Sequence, residues 1–229
     1  AESNVSATSK FLGTTLVRNT IESITITNDN IVPTTAIGSF DVSNNNDGSI
    51  MMWYTKGSSD NLYNVYIGSE SGITTFPDDS KNLFAYLSNV TSIDLKFTNV
   101  TNTSSMMNMF YQDTKLKEID LSSFKTSSLL YFVSMFEGCS SLVTLDLSGF
   151  DTSRITNFTN LFKNCTNLKE INLNSFNTSS ALMFANMFMN CQSLQSLNLK
   201  KFNTSNVTSM LSMFYGCSSL KSLNLSNFD

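Results

Sequence analysis

The stretch from Val207 to Asp229, with the sequence VTSMLSMFYGCSSLKSLNLSNFD, decides the fold because earlier copies of it recur every 26 residues. Its cysteine, Cys217, is preceded at that spacing by Cys191, Cys165 and Cys139. Its Met-Phe pair at 213-214 has counterparts at 109-110, 135-136, 161-162 and 187-188. A constant step without insertions indicates a repeat protein, in which the repeat is itself the fold.

Each copy follows the pattern L-x-x-L-x-L-x-x-F, and its length falls within the roughly 20–29 residues that are typical of leucine-rich repeats. Leu145 and Leu147 alternate with Asp146, so the leucines point to one face of a short strand and the aspartate to the other. We expect stacked copies to bring these strands about 4.8 Å apart in a parallel sheet.

A second part of each copy has helical spacing. Phe158, Leu161 and Phe162 stand at i, i+3 and i+4, which predicts one apolar stripe on a short helix. The column after the stripe holds glycine or asparagine, which tolerate the left-handed conformation past a helix C-terminus, at Gly138, Asn164, Asn190 and Gly216. A Thr-Ser pair upstream, as in Thr126 and Ser127, could cap the helix or close the loop after the strand.

These patterns predict an α/β fold. We expect a right-handed leucine-rich-repeat solenoid with a parallel sheet on one side and short helices on the other, preceded by a small, mostly β N-terminal cap. Residues 1–80 lack the repeat and would form the cap, which shields the apolar end of the first coil; a ligand-binding role for this region is the alternative. Its predicted elements are a helix over 11–20 and strands over 21–26, 41–43, 50–54 and 62–67. A helix predicted over 81–87 then leads into the first coil.

Residues 81–229 would form the solenoid. The chain stops at Asp229, in the loop after a strand, with no segment to cover the apolar columns, so we expect the repeat to be truncated here and to continue beyond this sequence. The sequence has no signal peptide, so any export signal is expected to lie outside it.

The repeats resemble those of the BspA-like leucine-rich-repeat surface proteins, in their 26-residue form. The resemblance rests on the runs 207–210, 213–220 and 223–229 and covers roughly residues 82–229. The segment 39–43, together with 47–54, is similar to the region that precedes the repeats in that family. The resemblance implies a bacterial cell-surface or secreted protein with an adhesive role, and it supplies no catalytic residues.

The column of four cysteines has three possible interpretations: metal ligands, disulfides or free thiols. Metal sites need converging ligands, whereas these sulfurs form a line and the chain contains no histidine. A disulfide between neighbouring coils is compatible with a spacing of about 5 Å, although Cys139 and Cys165 would face the same way. We expect the four cysteines to be buried free thiols that act as small apolar side chains, with no metal or cofactor.

The solvent side of the strands carries candidate polar residues. Asp94, Asp120 and Asp146 share one column, where stacked carboxylates could hold Ca²⁺ if enough oxygens converged. We favour a solvated acidic strip that is screened by salt. The candidate binding residues on this face are Asp94, Asp120, Asp146, Asn172, Asn174, Asn198, Lys200 and Asn224.

The predicted helix side varies most between copies. Apolar residues stand off the main stripe at positions where other copies carry Thr156, Asn157, Lys163 or Thr208. A cluster of exposed apolar groups can mark a contact surface, whereas single ones are ordinary. The candidate binding residues on this side are Leu130, Tyr131, Leu182, Met183, Met189 and Tyr215.

Composition and missing motifs argue against several functions. A net charge of −4 disfavours a general binder of nucleic acid or anionic membranes. No apolar run approaches the about 18 residues of a spanning helix. The absence of histidine removes Ser-His and Cys-His nucleophile activation, and neither a P-loop nor GxGxxG occurs. We therefore expect no enzymatic activity.

The expected function is that of a cell-surface or secreted binding module. It would present an extended repeat surface to a protein or glycan on a host or neighbouring cell. The alternatives are a structural spacer that holds another domain away from the cell surface, and an intracellular scaffold. We expect a monomer without nucleic-acid partners, with end-to-end pairing through the uncapped C-terminal coil as the other possibility.

Overall fold

The computed structural model describes residues 4–229, and this part of the chain is built from strands and turns. The strands are β1 (Ile21–Thr27), β2 (Gly38–Asp41), β3 (Ile50–Lys56), β4 (Tyr63–Ser69), β5 (Thr74–Thr75), β6 (Ser92–Asp94), β7 (Thr98–Asn99), β8 (Glu118–Ile119), β9 (Thr144–Asp146) and β10 (Glu170–Asn172). The predicted strands over 21–26, 50–54 and 62–67 are confirmed as β1, β3 and β4, and the strand predicted at 41–43 lies slightly earlier, as β2.

One sheet joins the N-terminal region to the first repeats. Its strand order is β2-β3-β4-β1-β6-β8, with antiparallel pairing among β2, β3 and β4 and parallel pairing among the remaining neighbours. Ile24 of β1 pairs with Val65 on one side and Ile93 on the other, and all three are buried. The first repeat strand therefore extends a sheet that the N-terminal region begins.

Residues 78–229 form six coils, which we number 1 to 6 from residues 78, 104, 130, 156, 182 and 208. Consecutive coils stack ring upon ring along the phenylalanine column that runs from Phe84 to Phe214. The Phe110 and Phe136 rings, for example, are nearly parallel, with centroids 5.5 Å apart. The stacking of copies predicted from the spacing is thus confirmed, and the rings from Phe84 to Phe188 are buried in the hydrophobic core.

The predicted α/β class is wrong, and with it the leucine-rich-repeat solenoid with short helices. Across residues 4–229 the helical structure consists of one three-residue 3-10 helix, Arg18–Thr20, inside the region where a helix over 11–20 was expected. Each coil instead carries a six-residue turn segment where the helix was expected: 81–86, 107–112, 133–138, 159–164, 185–190 and 211–216. The protein is therefore nearly all β and turn.

Backbone dihedrals explain why these segments are not helices. The second and sixth residues of every segment have positive φ, as at Asn160 (58°) and Asn164 (63°) in coil 4. An α-helix requires negative φ at each residue, so the first of these two positions interrupts it. The glycine and asparagine column was correctly expected to be left-handed, but it ends a turn and not a helix.

Hydrogen bonds between coils replace those of a helix. In coil 4, alternate N–H groups donate to carbonyls of coil 5: Asn160 to Ala185, Phe162 to Met187 and Asn164 to Met189, at 3.0, 2.9 and 2.8 Å. The intervening N–H groups close turns within the coil, from Leu161 to Phe158 and from Lys163 to Asn160. Backbone polar groups on this side are thus satisfied largely by the stack, which favours the turn path over an isolated helix.

The opposite side of the stack is less regular than expected. Coils 1 to 4 contribute one short strand each to it, whereas residues 195–200 and 221–225 of coils 5 and 6 are not strands. β6 and β8 belong to the large sheet, and β9 pairs with β10 separately. The parallel sheet expected on this side is therefore replaced by two shorter pieces.

A column of buried threonines links each coil to the next. The Thr152 hydroxyl accepts a hydrogen bond from the Asn177 N–H at 2.8 Å and donates to the Asn177 carbonyl at 2.9 Å. Thr126 and Thr178 bridge to the following coil in the same way, and all three side chains are buried. The threonine hydroxyls thus link consecutive coils, which is neither of the two roles expected for this column, the capping of a helix and the closure of the loop within a coil.

Within the described residues, no helix has the length and apolar character needed to cross a membrane.

Candidate functional site

The aspartate and asparagine side chains on the solvent side of the strands, which we call the sheet-face column, form hydrogen bonds with the nearby backbone. Each carboxylate or amide oxygen accepts the N–H of the residue two positions later: Asp94 at 3.0, Asp120 at 2.9, Asp146 at 2.8, Asn172 at 3.1, Asn198 at 3.3 and Asn224 at 2.9 Å. This is the hydrogen bond of an Asx turn, which shapes the loop after the strand. The two other candidates, Asn174 and Lys200, supply two of these N–H groups and are exposed.

These hydrogen bonds also set the charge of the column. The Ser122 N–H and hydroxyl lower the pKa of Asp120, and the Ser148 N–H and hydroxyl do the same for Asp146, because they stabilise the ionised carboxylates. Asp146 further accepts the amide of Asn172 at 3.0 Å. The three aspartates are exposed and follow one another along the stack, and the hydrogen bonds favour the ionised form of Asp120 and Asp146. Among residues 4–229, no three metal-ligating side chains gather closely enough to hold an ion.

The turn side exposes large apolar side chains. The exposed fractions are 56% for Tyr131, 44% for Leu182, 36% for Met183 and 66% for Tyr215. Leu130 and Met189 are only half-buried, and Leu211, which the sequence did not single out, is 71% exposed. Four of the six residues expected on this side are thus exposed.

The structure brings together only some of these residues. Leu182 and Met183 lie side by side in coil 5, and Met183 is flanked in its column by Asn157 and Ser209. Tyr131 lies two coils away, about 10 Å at the usual strand spacing. The turn side therefore carries an apolar pair at Leu182 and Met183, and the column neighbours of Met183 are polar.

The cysteine column faces the core. All four cysteines are free; Cys139, Cys165 and Cys191 are fully buried and Cys217 is half-buried. Each thiol donates to a phenylalanine carbonyl of the preceding coil, as Cys165 does to Phe136 at 3.1 Å. Burial raises the pKa of every one of these thiols, which keeps them protonated. The expectation of buried free thiols is confirmed, with Cys217 the least covered.

Sequence reasoning missed a cavity at the junction between the N-terminal region and coil 1. Its walls come from residues 5–18, from β1, β3 and β4, and from residues 74–84. Because these segments are far apart in the chain, no short motif connects them. The one available signal is Arg18, a charged residue beside the apolar Leu16 and Val17.

The family model described as "Mycoplasma protein of unknown function, DUF285" matches residues 78–194 and again residues 135–229. Together the two matches span all six coils. A comparison with curated proteins and one with solved structures found no match.

Proposed function

The chain belongs to the family described as Mycoplasma protein of unknown function, DUF285, and from this premise we propose that it is a non-enzymatic binding module displayed at a cell surface. The observation that carries the proposal is the exposed pair Leu182 and Met183, which stands directly before the fully buried Phe184. Large apolar side chains held in solvent by a rigid backbone are typical of contact surfaces.

The stack supplies the rigidity that such a surface needs. The N–H groups of Leu182 and Met183 both donate to the Thr156 carbonyl of coil 4, at 2.8 and 3.2 Å, and the Thr208 N–H of coil 6 donates to Leu182 at 2.8 Å. The pair is thus tied to a coil on each side. A preorganised surface loses little conformational entropy on binding, which favours affinity.

The turn side is a better candidate for the contact than the sheet face. On the sheet face the polar oxygens already accept backbone N–H groups, so a partner would have to compete with the Asx turns. Exposed Tyr131 and Tyr215 add side chains that combine apolar area with a hydroxyl, as protein interfaces often do. We therefore propose a protein partner, with a glycan as the other class to be tested.

Display outside the cell is part of the proposal. It is supported by the resemblance of the 26-residue units to BspA-like surface proteins, of which we propose this chain to be a relative. The low content of charged residues, 14%, and the surface of serine, threonine and asparagine also suit an extracellular repeat protein.

A pair of matched variants tests the surface. Leu182→Asp with Met183→Asp places charges in the proposed contact, and Thr101→Asp with Asn102→Asp adds the same charges at two exposed residues of coil 1, four coils away. Binding of the fluorescently labelled chain to intact host cells, measured by flow cytometry, should fall at least tenfold for the first pair and stay near the unmodified level for the second. Equal effects of both pairs, or no binding by the unmodified chain, would contradict the proposal; protease and glycosidase treatment of the cells distinguishes the partner classes.

The spacer is the second candidate, and the repeated hydrogen bonds between coils favour it. Each coil adds backbone bonds to the next, as between residues 160–164 and 185–189, so the stack is stiff along its axis. A spacer predicts that the Leu182 and Met183 variants are silent, whereas deletion of one coil, residues 156–181, changes cell binding by whatever domain it carries.

A further inference from the structure

The C-terminal end of the stack leaves backbone hydrogen-bond donors open. On the turn side of coils 1 to 5, alternate N–H groups donate to carbonyls of the next coil, as Phe188 does to Met213 at 2.9 Å. The corresponding N–H groups of coil 6 have no acceptor within residues 4–229; they belong to Met210, Ser212, Phe214 and Gly216. This end therefore presents a row of four donors.

The carbonyl groups of the same segment are all engaged. From residue 209 to residue 216, each backbone oxygen accepts an N–H group from coil 5 or from within coil 6. Ser209 accepts that of Phe184 at 2.8 Å, for example, and Met210 accepts that of Met213 at 3.1 Å. On the turn side the end thus offers a partner backbone donors but no free backbone acceptors.

The apolar columns also end uncovered here. Phe188 is fully buried between the rings of coils 4 and 6, whereas Phe214 stacks, in the described chain, on Phe188 alone and is half-buried. Leu225 is 40% exposed, but its counterpart Leu199 in coil 5 is 1% exposed. Apolar surface beside a row of unpaired backbone groups is typical of an edge that accepts another segment.

A second copy of this chain does not complement the row of donors. Two copies that met through coil 6 would bring N–H groups against N–H groups on the turn side. The opposite end of the stack is covered by the N-terminal region, where Arg18 donates to the Leu83 and Ala85 carbonyls. A complementary partner must therefore present a row of free carbonyls at the spacing of alternate residues.

The interface between coils 5 and 6 shows which structure has such a row. The four donors of coil 5 meet carbonyls of coil 6 at 2.7–2.9 Å, those of Ser209, Leu211, Met213 and Tyr215. The same interface pairs the two phenyl rings, with centroids 5.9 Å apart. A coil with the same turn segment and a phenylalanine in the same column would repeat both contacts on coil 6.

We propose that the C-terminal end of the stack is a docking surface for a coil of the same repeat type, supplied by a partner chain. The alternate carbonyls of that coil accept the four N–H groups of coil 6, and its phenyl ring stacks on Phe214. The proposal concerns the end of the stack and is independent of the contact pair Leu182 and Met183, so either can fail alone.

A covalently attached coil tests the fit. Asp229 is equivalent to Asn203, so a second copy of residues 204–229 appended after Asp229 continues the 26-residue step. The copy carries serine in place of its own cysteine, and a scrambled extension of the same composition is the matched control. The copy in register, but not the scrambled one, should slow labelling of Cys217 by Ellman's reagent and amide exchange of Phe214 at least tenfold. Equal protection by the two extensions, or protection by neither, would overturn the proposal.

The same 26-residue segment as a separate peptide tests supply by a partner chain. At millimolar concentration, which matches the effective concentration of a short tether, it should slow Cys217 labelling of the unmodified chain in a saturable manner. Phe214→Ala removes the ring on which the peptide stacks and should weaken this protection about tenfold. Tyr131→Ala, the loss of an exposed aromatic side chain three coils away, is the control and should leave it unchanged. Protection by the attached coil without protection by the peptide would overturn supply by a partner chain.

Sedimentation of the unmodified chain tests pairing between two copies. We expect a monomer at micromolar concentration, because neither end of the stack offers free carbonyls to the donors of coil 6. A dimer whose formation slows Cys217 labelling would show that coil 6 pairs with itself, and it would overturn the choice of partner.

Discussion

Arg18 donates a hydrogen bond of 2.9 Å from Nη1 to the carbonyl oxygen of Ala85, and the same nitrogen reaches the Leu83 carbonyl at 3.1 Å. In the following coils the equivalent carbonyls accept N–H groups from the preceding coil; Met109 and Tyr111, for example, accept those of residues 84 and 86. Coil 1 has no coil before it, so the guanidinium supplies donors that a preceding coil would provide. One side chain therefore helps to close the carbonyl end of the stack.

Removal of this guanidinium should destabilise the whole stack. Arg18→Met keeps an apolar stem but leaves the Leu83 and Ala85 carbonyls buried without this donor, and we expect a loss of about 2–4 kcal/mol in the free energy of unfolding. Urea denaturation followed by circular dichroism measures it. The control is Arg154→Met, the same change at the chain's other arginine, which is exposed and should alter stability by less than about 0.5 kcal/mol. Equal effects at both positions would show that Arg18 does not close the stack.

The sequence predicted the period and the buried columns but not the path of the backbone between them. Phe158, Leu161 and Phe162 are all fully buried, as a helical stripe would require. Two consecutive turns also bring residues three and four apart to the same side, so the spacing alone cannot distinguish them from a helix. The distinguishing signal was the residue two positions into the segment, asparagine at 82, 108, 160 and 186 and serine at 134 and 212, which favours a left-handed turn over a helix interior.

The sequence also predicted the candidate surfaces only in part, because it shows which positions lie beside the core but not how their side chains are arranged. Exposure of Tyr131 and Tyr215 follows from their positions beside the core columns, which the 26-residue alignment fixes. The Asx turns of Asp120 and Asn172 depend on side-chain rotamers, and the junction cavity depends on how distant segments pack. Neither is encoded in a local spacing.

Substitution of Asn160 distinguishes the turn from the predicted helix directly. Alanine is the best helix former, so Asn160→Ala would stabilise a helix by about 0.5 kcal/mol. In the turn, where Asn160 has φ of 58° and its oxygen accepts the Asn186 amide at 3.0 Å, we expect a loss of about 1–2 kcal/mol. Asn160→Gly keeps the left-handed conformation and should lose less than half as much. The midpoints of urea denaturation of the unmodified chain and the two variants distinguish the turn from the helix. An alanine variant more stable than the unmodified chain would favour the helix.

Asp113 should make stability fall as pH rises. It takes the place of cysteine in coil 2 and is fully buried, and burial raises its pKa well above the ordinary value, although the Leu87 N–H at 2.8 Å and Arg18 oppose this. A carboxyl whose folded pKa is raised contributes most below its unfolded pKa, near 4, and that contribution is lost as pH rises through the folded pKa. The stability of the unmodified chain relative to Asp113→Asn should therefore decrease from pH 4 to pH 8.

For Asp120→Asn we expect the opposite pH dependence of stability. The pKa of Asp120 is lowered by the Ser122 N–H, so its contribution is present above about pH 4 and is lost as pH falls further. Denaturation curves between pH 3 and pH 8 measure both differences. A relative stability that is independent of pH for Asp113→Asn would mean that Asp113 is not shifted by burial.

Thiol labelling should report how tightly the coils are stacked. Thiolate is the reactive form, and burial raises the pKa of all four cysteines, so labelling of the native protein requires both exposure and deprotonation. With Ellman's reagent at pH 8 we expect one slow-reacting group, Cys217, whose rate still increases above pH 9, and three groups that react only after unfolding. Cys217→Ser should remove the native reaction, and Cys191→Ser, the same change one coil earlier, should leave it in place. Four thiols reacting at similar rates in the native protein would show that neighbouring coils separate readily, and fewer than four after unfolding would show that some are oxidised.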